Sequence, residues 1–202
     1  MVRKAEQINR KTIKALTKAM EELGQKYSIR VGIQGTQAYQ THKDSGLTNA
    51  QLGAIHEFGA VINVTDKMRN YFKSQKVYLK KTTTQIIIPA RSFLRDTLLS
   101  GDGKERLLYA VGLSSESGEL NTEIIKLGLM KDSEFMEKLS NMIGAKAVEM
   151  VQEAFMAGGI PTTWTPISEY TRQHRKNDKS SPPLTDSGDL RDSITAEVKK
   201  VG

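Results

Sequence analysis

Cysteine is absent from this chain of 202 residues. Its absence excludes a disulfide framework, a thiolate zinc site and a cysteine nucleophile. Aromatic residues are scarce at 6%, with a single tryptophan, and hydrophobic residues reach only 38%. That is a lean supply for a core, so neighbouring subunits are expected to share in the burial. No apolar run approaches the roughly 18 residues of a membrane helix, so no membrane partner is expected. The N-terminal MVRKAEQINRKTIKAL is charged throughout and lacks the apolar centre of a signal peptide. These features point to a protein made and kept in a cytoplasm until it is used. The charge balance is basic: 30 Lys and Arg against 23 Asp and Glu give +7. Such a balance suits an anionic neighbour such as nucleic acid, and it also serves solubility.

Motifs for chemistry are also sparse. There is no phosphate loop, no dinucleotide fingerprint and no nucleophile elbow. Carboxylate pairs such as Asp186 and Asp189 are what any acidic loop offers. The stretch LGAIHEFGA carries His56-Glu57, the front half of a zinc-protease helix. A zinc helix needs a second His one turn later, and that position is Ala60, just after the helix-stopping Gly59. The other histidines, His42 and His174, lie in polar, loop-like sequence. The alternative to a metal site is that His56 and Glu57 sit near a helix C-terminus, where a cation is favourable.

Periodicity supplies the elements. Residues 3–23 read as an amphipathic helix ended by Gly24, and Tyr27 to Ile33 alternate as a strand. A polar loop follows. Next comes a short helix, NAQLGAIHEFG, capped by Thr48 or Asn49, with Leu52, Ile55 and Phe58 as its buried stripe. AVINVT is a second strand, and Thr82 to Ile88 a third, ended by Pro89. Between them, residues 66–81 form a basic arm holding Lys67, Arg69, Lys73, Lys76, Lys80 and Lys81, with Tyr71, Phe72 and Tyr78 interleaved. The arm reads either as a short helix with a solvated hairpin or as a contact for nucleic acid. A helix from about Ser92 has Phe93, Leu94, Leu98 and Leu99 as its apolar members. Arg91 and Arg95, four apart, are candidates to pair with carboxylates of this fold or of a neighbouring subunit. Residues 100–130 read as an insertion with short helices, and 133–157 as a long helix whose methionines fill core gaps. After it, Ser168 caps a short helix, and ITAEVKKV alternates as the last strand of an extended C-terminal segment, 160–202. The expected fold is a single α+β domain over 1–202, a small mixed or antiparallel sheet flanked by helices, with arms.

Three segments in this order resemble the virion-morphogenesis or tail-completion family of tailed bacteriophages: LGAIHEFGAVINVTDKM, IIIPARSFLRDTL and WTPISEYTRQHRKNDKSSPPLTDSGDLRDSI. The resemblance spans residues 27–99 and 133–198. One signature falls on His56, Glu57, Phe58 and Gly59. A second falls on Pro89, Ala90, Arg91, Phe93, Leu94 and Arg95. A third falls on Trp164, Pro166, Ile167 and Ser168, with Ile167 in place of the usual Leu. The last falls on Pro183, Leu184, Asp186, Ser187, Gly188, Leu190, Arg191, Ser193 and Ile194, with Ser187 in place of the usual Thr.

The resemblance implies a structural virion protein with no catalytic residues, cofactor or metal. It implies a homo-oligomeric ring, hexamer or dodecamer, at the neck where head meets tail. Implied partners are other neck proteins, the tail tube or head connector, and DNA passing through the lumen. Two readings of other classes remain beside it: a DNA-binding protein using the arm at 66–81, and a metal-dependent hydrolase using His56, Glu57 and distant carboxylates.

Overall fold

A computed structural model describes residues 18, 21, 23–42, 45–113, 133–175 and 179–201. Strand β1 (Tyr27–Ile33) pairs antiparallel with the last strand, β4 (Ile194–Lys200), in a register that sets Tyr27 against Lys200 and Ile33 against Ile194. Between them in sequence come α1 (Gly35–Tyr39), α2 (Asn49–Phe58), β2 (Ala60–Asn63), α3 (Asp66–Ser74) and β3 (Gln85–Ile88). They are followed by α4 (Arg95–Leu99), α5 (Gly101–Ala110), α6 (Ser133–Ala157), α7 (Glu169–Gln173) and α8 (Asp189–Asp192). Strands β2 and β3 form their own antiparallel ribbon, Ala60 opposite Ile88. The fold is α+β, with small antiparallel sheets and one long helix, as the periodicity indicates.

Helix α6, 25 residues long, lies against the β1–β4 pair. Its buried residues Ala147, Met150, Val151, Ala154 and Phe155 recur at threes and fours, one stripe of a helix. Gly144 lets the helix approach β4 closely: a Cβ there would stand 3.0 Å from that of Ala196. The main core gathers Phe93, Phe155, Trp164, Leu190 and Ile194 around this stripe. Phe93 stacks on Phe155 at 5.0 Å, and Phe155 meets Trp164 edge-on at 5.6 Å. Each aromatic contact adds about 1 kcal/mol beyond area burial. A second cluster, Leu23, Tyr27 and Met136, closes the other end.

Local chemistry sets the boundaries. Thr48 and Gln51 form a reciprocal capping box at α2, and Thr65, Ser100 and Ser168 cap α3, α5 and α7 with their hydroxyls. Each such cap is worth about 1 kcal/mol.

Several details depart from the periodicity. Residues 24–26 are helical, so Gly24 does not stop the first helix; the chain passes directly into β1. Most of residues 3–23 lies outside the described residues. The polar loop after β1 contains the single turn α1. Strands β2 and β3 are shorter than AVINVT and 82–88. The helix expected from Ser92 begins at Arg95 and breaks at Ser100, where α5 starts. Helix α5 contacts α4 and α6, and Val111 and Leu113 are buried, so this part of the expected insertion belongs to the body. The remainder, 114–132, lies outside the described residues. Met136 and Met150 fill the core, whereas Met142 and Met156 face solvent.

Candidate functional site

Helix α2 buries an unexpected face. Its buried residues are Asn49, Gly53 and Glu57, four apart, while Phe58 is 66% exposed. The stripe of Leu52, Ile55 and Phe58 is therefore not the packing face. Gly53 brings the helix against Ile33, whose Cδ1 occupies the space a Cβ would need. Asn49 anchors the start of the face by donating to the carbonyl of Gln37.

Glu57 ends that face with a buried carboxylate, 4% exposed. Its Oε1 accepts from the Ser92 hydroxyl at 2.7 Å and the Arg95 N–H at 3.0 Å. Its Oε2 accepts from the N–H groups of Phe93 at 2.8 Å and Leu94 at 3.0 Å. A carboxylate delivered from another helix thus satisfies the orphan donors at the start of α4. Ser92 adds a local cap, accepting from the N–H of Asp96. Burial alone would raise the carboxyl's pKa, but the four donors outweigh it and hold the pKa below the usual range. Arg95 completes the group: its Nε lies 3.4 Å from Oε1 and its guanidinium covers the Phe58 ring at 5.0 Å.

Gly59 makes the turn out of α2 with φ +74°. A Cβ there would stand 2.9 Å from the carbonyl oxygen of Ile88. Only glycine allows both the angle and that approach. The backbone N–H of Arg91 then donates to the His56 carbonyl, 2.7 Å away.

Arg91 turns the other way from Arg95. Only 6% exposed, it donates through Nε to the carbonyl of Thr165 at 2.9 Å and through a terminal nitrogen to that of Pro166 at 3.3 Å. Trp164 donates its indole N–H to the Ser92 carbonyl. The segments HEFG, PARSFLR and WTP therefore meet in one clasp centred on Glu57 and residues 91–95. The last signature closes against the same core. Gly188, left-handed at φ 83°, starts α8, whose Leu190 is buried beside Trp164 and Ile194. Arg191 stays outside and pairs with Asp192 at 2.7 Å.

His56 is held neutral. Burial and then the Arg91 charge lower its pKa to about 4, so it does not act as a cation at the helix end. Its Nδ1 is buried without a hydrogen-bond partner among the described residues. Among the described residues no group of three or more His, Asp or Glu is placed to hold a metal ion. Glu57, with its oxygens committed to four donors, is not free to serve as a base. His56, Pro89, Arg91, Pro166 and Asp186 line a cleft of about 920 Å³, together with His42 and Arg175. His42 reads in sequence only as part of a loop, and nothing in the sequence around Arg175 marks it. Arg175 is buried and donates to the carbonyls of Ser181 and Pro182, which ties those residues to the end of α7.

The basic arm divides. Arg69 directs its guanidinium at the carbonyls of Lys80, Lys81 and Thr83, tying α3 to the chain before β3. Lys67, Lys73, Lys76, Lys80 and Lys81 are exposed, as are Tyr71 and Tyr78 at 61% and 75%. Among the described residues no helix is long and apolar enough to cross a membrane. No family model matches the chain, and no curated protein or solved structure matches it significantly.

Proposed function

We propose that the chain is a structural virion protein of a tailed bacteriophage, a ring-forming neck subunit acting in tail completion or head–tail joining. The observation that carries this reading is the clasp. The ordered signatures, distant in sequence, hold one another through Glu57, Arg91 and Trp164. His56-Glu57 belongs, in this reading, to a scaffold rather than to a hydrolase. In this reading the chain carries out no catalytic step and needs no cofactor. It is made in the host cytoplasm and works in the virion neck, beside other neck proteins, the tail tube or the head connector.

The ribbon β2–β3 and its arm support an assembly role. Val61 and Ile87 are 61% and 70% exposed on the ribbon, beside the exposed tyrosines of the arm. Apolar side chains on a two-stranded ribbon gain most when a neighbouring subunit covers them. Closed rings use such head-to-tail contacts between unlike surfaces.

A second reading takes its support from the exposed lysines and tyrosines of the arm, which suit a DNA backbone and its bases. It predicts binding of free duplex or single strands that weakens steeply with salt. The neck reading is tested by adding purified chain to extracts of infected cells lacking it. Restoration of plaque-forming particles is the expected result; an unchanged titre, with strong salt-dependent binding of free DNA, favours the second reading.

A further inference from the structure

The cleft beside the clasp has three features that point to the same kind of occupant. First, one wall is a strand edge. Ile86, Ile87 and Ile88 all line the cleft. Successive side chains of a strand point to opposite faces, so three in a row can share a cavity only along the strand's edge. Strand β3 pairs with β2 alone, which leaves that edge unpaired among the described strands.

Second, the lining is basic. Arg91 and Arg175 face it against one carboxylate, Asp186. Two of Arg91's five N–H donors go to the carbonyls of Thr165 and Pro166, and among the described residues no carboxylate pairs with it. An arginine this deeply buried without a counter-charge favours an anion nearby.

Third, His42 and His56 line the cleft, and each imidazole can donate or accept according to its tautomer. A peptide backbone carries both donors and acceptors and can meet either tautomer, whereas a phosphate oxygen only accepts. The remaining walls, including Leu52, Ile167 and Leu184, are apolar. A duplex backbone, wide and fully hydrated, gains nothing from apolar walls of this kind.

We infer that this cleft is a docking site for an extended acidic peptide segment of another polypeptide, added as a strand to the free edge of β3 with a carboxylate directed toward Arg91. Backbone pairing along β3 supplies the affinity, and the arginines with the apolar walls supply the selection. Such binding does not require that the chain act in a ring, so it stands or falls separately from the neck assignment.

The test is selection of a displayed library of random twelve-residue peptides on the full-length chain, followed by affinity measurements on the winners. Enrichment in Asp and Glu, and depletion of Pro, are expected, since Pro cannot complete a strand ladder. The control variant is Thr171→Glu, at an exposed helical position on the cleft lining. It leaves the clasp untouched, and it should weaken the selected peptides at least tenfold with an unchanged circular dichroism spectrum. The proposal is overturned by the absence of any enrichment, by winners with no acidic bias, or by equal binding to Thr171→Glu. Displacement of the peptides by a short DNA duplex at matched salt also overturns it, and assigns the cleft to phosphate.

Discussion

Glu57 Oε2 accepts the backbone N–H of Phe93 at 2.8 Å across 36 residues of sequence. That bond is the centre of a junction in which one buried carboxylate starts a helix it does not belong to. Replacing it by an amide keeps the shape and removes the charge. Hydrogen bonds to a charged group are worth roughly 1.5–3 kcal/mol, and one amide nitrogen would face N–H donors. Glu57→Gln is therefore expected to lower unfolding stability by about 3 kcal/mol, read from the urea midpoint at neutral pH. A change below about 0.5 kcal/mol, the level of an ordinary surface substitution, would contradict the clasp.

Acid should loosen the same junction in two stages. His56 is lowered to about 4 from 6.5. Below pH 6.5 the unfolded chain takes up a proton that the folded chain refuses, so stability falls until about pH 4; the full shift is worth up to about 3 kcal/mol. Glu57 is also lowered, so its stabilisation is complete above its ordinary value of 4.5 and is lost as pH drops through the folded value. Urea midpoints measured from pH 7.5 to 3.5 should fall throughout. His56→Asn should flatten the upper part of the curve, and Glu57→Gln the lower part.

The two arginines of the PARSFLR segment should part company. Arg91 is buried and holds the Thr165 and Pro166 carbonyls, so Arg91→Ala removes two hydrogen bonds from a charged donor and is expected to cost about 2–4 kcal/mol. The Arg95 side chain is half-exposed, and Arg95→Ala is expected to cost about 1 kcal/mol or less. Equal losses in thermal melts of the two variants would contradict these placements.

Arg69→Ala should free the chain between α3 and β3 without touching the core. Arg69's bonds to the carbonyls of Lys80, Lys81 and Thr83 tie α3 to the segment that leads into β3. Limited trypsin digestion should then cut at Lys76, Lys80 or Lys81 several times faster, with the melting temperature nearly unchanged. A melt lowered as far as by Arg91→Ala would show the arm to be part of the core.

Periodicity made the long helix, β1, β4 and the stop at Gly59 readable, because each depends on local spacing, whereas Gly24 does not end its helix. Phe93 was legible as an apolar helix residue for the same reason, whereas Trp164, between Pro161 and Pro166, has no spacing that marks it as core. The face of α2 was not. Its apolar residues Leu52, Ile55 and Phe58 formed the obvious stripe, yet the buried face carries Glu57, and a buried carboxylate pays only when distant N–H groups meet it. No spacing within LGAIHEFGA could reveal donors at residues 92–95. Ser92 was expected to start a helix, but the helix begins at Arg95 and the Ser92 hydroxyl donates to Glu57 from before it. The different fates of Arg91 and Arg95 follow from tertiary placement, since one precedes α4 and the other begins it. The cleft placement of His42 and Arg175 was not legible because the cleft exists only once β3, α7 and residues 184–187 come together.

The most direct measurement is negative-stain microscopy, with light scattering, of the purified chain alone and mixed with heads or tail tubes lacking it. The neck assignment predicts rings, free or seated at one end of those particles. A chain that stays monomeric and leaves both particles bare would contradict it.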